Sequence, residues 1–236
     1  MGGRLYVGTS GFAFDAWKGP FYPVELASRE MLRFYASRLG AVEINYTFRR
    51  HPSESTLAAW SEQAPEGFAF CLKAHQQITH RLRLAGAGEA VAFFMGRAAL
   101  LGDRLGPVLF QCPPYLRHAP KVLEEFLGAL PAGFRYAFEF RHPSWEEARP
   151  QVEAAGAAWC VADTDEASAG DVPLGDGPLV YLRLRRSEYG ETDLRRWAAR
   201  VGEATARGAD VFCFFKHEDE GIGPRLALRL AERAGA

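Results

Sequence analysis

Short apolar runs recur along the whole chain, and each run ends in a polar or ionisable residue. The segments between the runs carry apolar residues at helical spacing. Strands that alternate with helices build parallel sheets and barrels, so this pattern predicts a parallel barrel of eight strands. The runs cover residues 5–9, 41–45, 68–73, 108–111, 136–141, 158–163, 180–183 and 211–216.

Capping residues mark the predicted helices. Ser28 opens an amphipathic segment that Gly40 closes, and Ser53 opens a second one. Further helices are predicted over 88–103, 120–129, 145–155, 191–207 and 222–234, whereas the Gly- and Pro-rich segment 165–178 is predicted to be a loop. The chain has 236 residues, and a (β/α)8 TIM barrel typically needs about 250. The α/β pattern therefore predicts a single TIM-barrel domain over residues 1–236.

The phase of each run separates residues that face the barrel axis from residues that face the helices, because side chains alternate along a strand. In the second run Val42 and Ile44 are assigned to the helix side. The remaining positions at the carboxyl ends of the strands are polar, and active sites of TIM barrels lie at that end. We expect the following residues to form this rim: Glu43, Asn45, Lys73, Gln111, Glu139, Arg141, Asp163, Arg183 and Lys216.

The charged rim residues comprise three acids and four bases, so the balance favours an anionic ligand. Charges that face inward are costly unless they are paired or hydrated. A structural alternative is an ion-pair network that closes the mouth of the barrel, with Glu139 paired to Lys73 and Asp163 paired to Arg183. Ion-pair networks and functional sites perturb charges in similar ways.

Each rim residue has a role in the predicted site. Glu139, between aromatic neighbours, is the first choice for a general acid or base, with Glu43 and Asp163 as supporting carboxylates. Lys73 is expected to bind an anion, in preference to acting as an amine nucleophile. The remaining members are the hydrogen-bonding Asn45 and Gln111, the cations Arg141, Arg183 and Lys216, the loop residues His80 and His217, and Ser10 and Trp17 after the first strand.

Composition restricts the function further. The formal net charge is −1, which gives no overall basic footprint for nucleic acid. No apolar run approaches the roughly 20 residues that span a bilayer, and the first residues lack a secretory pattern, so a cytoplasmic location without membrane contact is predicted. The four cysteines form no C-x-x-C pair and are assigned to the core. No motif predicts a metal or a redox cofactor.

Several stretches together resemble the YecE-like family, the "domain of unknown function 72" proteins. They are 8–12 (GTSGF), 21–23 (FYP), 42–48 (VEINYTF), 78–80 (ITH), 109–114 (LFQCPP), 138–145 (FEFRHPSW), 181–183 (YLR) and 214–219 (FFKHED). The resemblance runs nearly end to end and implies a TIM barrel of uncharacterised activity. Departures from the family pattern are Phe12 and Phe14, where Trp and Tyr are usual, and Arg49, where Tyr is usual.

The leading hypothesis is an enzyme that performs acid/base chemistry on a small anionic or phosphorylated substrate, with hydrolase, lyase and isomerase reactions all open. One alternative is a nucleic-acid-binding module, because the aromatic first loop and the Arg49–Arg50 pair combine stacking surfaces with cations. Another alternative is a metal-dependent phosphoesterase that resembles the apurinic-site endonuclease barrels. Its ligands would be Glu43, Glu139, Asp163, His80 and His217, but no ligand spacing motif is present and the interleaved cations oppose a metal.

Overall fold

The computed structural model describes residues 2–216 and 220–235, and the eight predicted strands are all present in one parallel sheet. Within this part of the chain, the order of the strands around the sheet is β3-β2-β1-β8-β7-β6-β5-β4. The strands are β1 (Leu5–Ser10), β2 (Ala41–Ile44), β3 (Ala69–Leu72), β4 (Val108–Gln111), β5 (Tyr136–Glu139), β6 (Ala158–Asp163), β7 (Leu179–Leu184) and β8 (Asp210–Phe215). The helices are α1 (Met31–Ala36), α2 (Glu54–Gln63), α3 (Gly88–Ala98), α4 (Pro120–Gly128), α5 (Arg149–Ala154), α6 (Glu191–Ala206) and α7 (Ile222–Ala234).

Two seams complete the barrel with few backbone pairs. β3 and β4 meet through isolated bridges, Phe70 with Leu105 and Lys73 with Leu109. The other seam joins β5 to β6, where the register pairs are Ala137 with Ala158 and Phe138 with Trp159. The predicted TIM barrel is thus confirmed as a nearly closed one, in which the β4–α4–β5 unit has the shortest strand pairings to its neighbours.

The barrel axis is filled by a core distinct from the core under the helices. Tyr6 and Phe212 stack in parallel there, with ring centroids 4.4 Å apart, and small residues on the neighbouring strands leave room for these rings. The buried residues of the axial core are Ala41, Ala69, Cys71, Leu109, Ala137, Ala158, Cys160, Leu179, Tyr181, Phe212 and Phe214. Because this packing is apolar, the polar axis-facing residues collect above it, at the carboxyl ends.

Several predicted helix boundaries shift for local reasons. Ser53 caps α2 as predicted, since its hydroxyl accepts from the Thr56 N–H at 3.1 Å. The helix predicted over 88–103 ends at Ala98 and continues as a 3-10 turn, in which Gly102 has a φ of 54°. A 3-10 turn over Pro143–Ala148 occupies the start of the segment predicted over 145–155, and α5 follows it with a proline in its first turn. The helix opened by Ser28 ends at Ala36, before the predicted closing glycine.

The segment between β6 and β7 is a loop, as predicted, and arginine side chains hold it against the helices. Arg200 of α6 donates to the Ala169 and Val172 carbonyls. Arg149 donates to the Pro173 carbonyl at 2.8 Å. The loop therefore has a defined path from the end of β6, along α5 and α6, to the start of β7. Among the described residues, no helix is both long and apolar enough to cross a membrane.

Candidate active site at the barrel mouth

A buried ionic cluster lies above the axial core. Arg183, on β7, donates from one guanidinium nitrogen to Glu43 on β2 at 2.8 Å, and from another to Glu139 on β5. The three side chains are almost completely excluded from solvent, with Arg183 only 1% exposed. Buried charges persist when they are paired and hydrogen-bonded. One cation thus ties together strands from three parts of the barrel.

Hydroxyl groups complete the hydrogen bonding of Glu43. Ser10 donates to one carboxylate oxygen at 2.8 Å and Tyr181 to the other at 2.9 Å, while the Asn45 amide lies 3.4 Å away. Burial favours the protonated form of Glu43, but the Arg183 guanidinium and the two hydroxyls outweigh it and lower the pKa of this carboxyl. Glu43 is therefore a fixed negative charge whose oxygens are already occupied.

Glu139 receives a second cation from the rim. The Arg141 Nε donates to Glu139 at 2.7 Å. Burial again opposes ionisation, but Arg183 and Arg141 lower the pKa of Glu139 to about 2. A group with that pKa is a poor proton donor or acceptor near neutral pH. This environment disfavours the role of general acid or base predicted for Glu139, whose carboxylate accepts hydrogen bonds from two arginines.

Lys73 lies just after β3, beside this cluster. Its Nζ donates to Gln111 Oε1 at 2.6 Å and sits 4.1 Å from the centroid of the Phe48 ring. His80, in a π-helical turn, contacts the same ring edge-on at 4.8 Å. Burial, followed by the nearby Arg183 guanidinium, lowers the pKa of Lys73 to about 8. The amine is thus close to the range in which it can exchange protons at neutral pH.

A cavity of about 800 Å³ opens beside the ionic cluster, between the ends of β5, β6 and β7. Glu139 and Cys160 line its floor, and the cations in its wall are Arg141, Arg185 and Lys216. Within the described residues, Arg185 has neither an ion pair nor a side-chain hydrogen bond, although it is half-buried. Burial, then the neighbouring Arg183, lowers its pKa. This cavity presents to any ligand that enters a guanidinium that has no ion pair within the described part of the chain.

The assignment of Asp163 to the rim is wrong. Val161, two residues earlier, packs in the core under the helices, and alternation places Asp163 on that same face. Its Oδ1 accepts the Ala169 N–H at 2.7 Å, so the carboxylate anchors the β6–β7 loop. The ion pair predicted between Asp163 and Arg183 is wrong for the same reason.

Lys73 donates to Gln111 and has no carboxylate within ion-pair distance among the described residues.

The other predicted site residues divide into three groups. Ser10 and Asn45 join the cluster through Glu43, and His80 lies near Lys73 through Phe48. Trp17 is 1% exposed and packs on Phe14 at 4.7 Å, so its ring offers no free face to a ligand. His217 lies outside the described residues.

Three residues of the site were not in the predicted set. Arg185 follows Arg183 by two positions and shares its face, so the alternation that identified Arg183 extends to it. Tyr181 precedes Arg183 by two positions, so the same alternation places it on the same face of β7. Phe48 lies in a 3-10 turn after β2, where side chains do not alternate as they do along a strand, so alternation could not predict its direction. Its contact with Lys73 depends on the path of that turn.

The described residues hold no group of three or more His, Cys, Asp or Glu side chains arranged to bind a metal ion. The acids that sequence analysis considered as ligands have other partners here. Glu43 and Glu139 bind arginines, and Asp163 binds a backbone amide. The polar atoms of the mouth are therefore arranged as an array of cations and paired carboxylates.

The fold and the rim define a (β/α)8 barrel with an ionic site at its carboxyl-end face. The chain belongs to the DUF72 family, because the family model described as "Protein of unknown function DUF72" matches residues 6–236. UPF0759 protein YunF of Bacillus subtilis strain 168 is 24% identical over 92% of this chain and 90% of YunF. UPF0759 protein YecE of Escherichia coli strain K12 is 34% identical over 116 residues, which are 48% of this chain and only 42% of YecE.

Solved structures agree with this assignment. A DUF72 family protein (TM1631) from Thermotoga maritima MSB8 matches with a TM-score of 0.84 at 25% identity, over 99% of this chain and all of that one. A DUF72 family protein (EF0366) from Enterococcus faecalis V583 matches with a TM-score of 0.81 at 18% identity, over 99% of this chain and 96% of that one. The barrel fold is shared, and the family description names no activity.

Proposed function

We propose that this protein is an enzyme that binds a small anionic substrate in the cavity at the carboxyl-end face of the barrel. Arg185, Arg141 and Lys216 form the anion clamp, and Lys73 is the group that transfers protons. The observation that carries the proposal is the Arg185 guanidinium, which lines the cavity without a protein partner among the described residues.

A half-buried cation without a partner is unfavourable, because burial removes hydration that no protein group replaces. The neighbouring Arg183 cannot serve as the anion site, since both Glu43 and Glu139 already neutralise it. Arg183 and Arg141 together balance the charges of Glu43 and Glu139, and Arg185 adds a cation beyond that balanced cluster. A phosphate or carboxylate group fits the planar fork of a guanidinium and would supply the missing partner.

The acids around the cavity argue against a polyanion as the ligand. Glu146, Asp165 and Glu166 also line the cavity. Three acids in the outer wall oppose the continuous basic track that nucleic acid needs. Affinity for a small anion should accordingly depend only weakly on salt, in contrast to a nucleic-acid complex.

Proton transfer is assigned to Lys73 in place of Glu139. The best general acids and bases have a pKa near the working pH. The pKa of Lys73 is about 8 and that of Glu139 is about 2. Arg141 links the two parts of the site, since it lines the cavity and also contributes to lowering the pKa of Lys73.

The proposal is tested by calorimetric titration of the protein with inorganic phosphate, sulfate and pyruvate. At least one of these anions should bind the wild type, and Arg185→Met should weaken binding about tenfold or more, which corresponds to about 1.4 kcal/mol. Arg195→Met, on the exposed face of α6, is the matched control and should bind as the wild type does. Binding of no anion, or equal binding by both variants, would overturn the anion clamp.

A further inference from the structure

Lys73 differs from an ordinary surface lysine in what surrounds its amine. Among the described residues, the Nζ has one hydrogen-bond acceptor, the neutral amide of Gln111, and it lies over the face of Phe48. The nearby carboxylates of Glu43 and Glu139 are engaged by Arg183. By comparison, the Lys18 amine forms an ion pair with Asp15 at 2.9 Å.

The Phe48 ring face and the Gln111 oxygen stabilise the ammonium, but burial and the nearby arginines outweigh them and favour the neutral amine, which is the nucleophilic form of lysine. Burial removes water from the ammonium, and the arginines beside it disfavour a further positive charge. The hydrogen bond to Gln111 fixes the position of the nitrogen at the rim of the barrel, where substrates of this fold bind. Lys73 therefore lies at the substrate-binding end of the barrel with a pKa lowered toward neutral pH.

We propose that Lys73 forms an imine with a small aldehyde or ketone that carries a carboxylate or phosphate group. This inference rests on the proposed function, because the anion clamp is what selects the charged carbonyl compound. Lys73 lies beside the cavity and not in its lining, so the bound compound would extend from Arg141, whose charge also acts on Lys73, to the amine.

The chemistry is balanced without a further reactant. The nitrogen lone pair attacks the carbonyl carbon, the C–N bond forms, and the electrons of the C=O π bond move to the oxygen, which takes a proton. Loss of this oxygen as water then leaves the C=N bond. The net change is one amine and one carbonyl converted to one imine and one water. When protonated, the imine draws electrons from the adjacent carbon, which allows proton removal or carbon–carbon cleavage there.

The lysine content of the chain makes the test unusually direct. The whole sequence has four lysines, Lys18, Lys73, Lys121 and Lys216. The protein is incubated with glyoxylate and sodium borohydride, which reduces an imine to a stable secondary amine, and the adducts are located by peptide mass spectrometry. Glycolaldehyde is the matched probe, because it has the same carbon skeleton but no carboxylate.

We expect glyoxylate to label Lys73 at least tenfold faster than Lys121, and faster than glycolaldehyde labels Lys73. The labelling rate at Lys73 should rise with pH and be half-maximal near pH 8. Lys121→Arg should leave labelling of Lys73 unchanged. The wild-type adduct map is the primary result, so it does not depend on how well any Lys73 variant folds.

The outcomes separate this inference from the proposed function. If phosphate, sulfate or pyruvate binds but Lys73 is labelled no faster than Lys121, the imine inference is wrong and the anion clamp stands. If Lys73 is labelled rapidly and equally by glyoxylate and glycolaldehyde, Lys73 is a nucleophile, but selection of the carbonyl compound by the anion clamp is overturned. Loss of the preference for glyoxylate in Arg185→Met, with labelling retained, supports both.

Discussion

Arg183 donates a hydrogen bond of 2.8 Å to Glu43, a residue 140 positions away in the chain. The same guanidinium reaches Glu139, which Arg141 also contacts. These two acids and two arginines sum to no net charge. The balance includes Arg141 of the cavity wall, so Arg185 and Lys216 are the wall cations that remain to act on a ligand.

Replacing Arg183 should strongly destabilise the fold. Arg183→Met leaves two buried carboxylates without their shared cation, and breaking a buried pair in this way costs about 3–5 kcal/mol. Urea unfolding of the variant and the wild type measures this loss. A decrease below about 1 kcal/mol would contradict the picture of a buried, paired cluster.

A compensating variant provides the control for that experiment. In Glu43→Gln/Glu139→Gln/Arg183→Met the stranded charges are gone, and the amides can still bond to Tyr181 and Arg141. We expect this triple variant to regain more than half of the lost stability, although it carries more substitutions than the single variant. Additive losses would show that Arg183 stabilises the fold by packing instead of by charge.

Acid should weaken the wild type through Glu139. Its pKa in the folded protein is about 2, below its ordinary value of 4.5. Between these values the unfolded chain binds the proton more readily, so stability present above pH 4.5 is lost as the pH falls toward 2. Glu139→Gln should therefore show a shallower decline in unfolding free energy over this range.

Urea titrations at a series of pH values measure the slope, which reports the difference in bound protons. The slope for Glu139→Gln should be smaller than that of the wild type by about one proton over this interval. Glu124→Gln, at an exposed position of α4, is the matched control and should keep the wild-type slope. Parallel curves for all three proteins would rule out Glu139 as a source of the acid sensitivity.

Asp163 should prove to be a loop anchor without a chemical role. Asp163→Ala leaves the buried Ala169 N–H without its acceptor, which costs about 1–3 kcal/mol. Because the side chain faces away from the axis, glyoxylate labelling of Lys73 should stay within about twofold of the wild-type rate. Thermal unfolding and adduct mapping of the same samples measure both effects. If a folded Asp163→Ala variant showed a large loss of Lys73 labelling, the prediction that Asp163 lies outside the site would be wrong.

The strands were predictable because bulky side chains occupy alternate positions. In β5, Tyr136 and Phe138 reveal the helix face, so Glu139 was correctly turned toward the axis. In β6 the inward positions hold only Ala158, Cys160 and Ala162, and the terminal acid was read as inward although it shares the phase of Val161. The face of Asp163 was predicted wrongly because the inward side chains of β6 are too small to distinguish its two faces.

A single sequence could not predict which side chains pair with each other inside the site. Whether Glu139 meets Lys73 or Arg183 depends on how far each strand is shifted along its neighbours, and this stagger is a property of the closed barrel. Arg185 was missed for a simpler reason, since it lies just past the apolar run that defined β7. Extending the alternation by one step would have included it.

At the two seams of the barrel, polar side chains of the rim connect strands that share few backbone hydrogen bonds. The β4–α4–β5 unit has only short strand pairings to β3 and β6. Lys73 and Gln111 bridge the first seam with their side chains, and Glu139 reaches across β6 to Arg183 on β7. A neutral imine at Lys73 has no N–H, so its formation would release the hydrogen bond to Gln111. A covalently bound substrate would thereby lower the free energy of local opening on this side of the barrel, which would couple turnover to that opening.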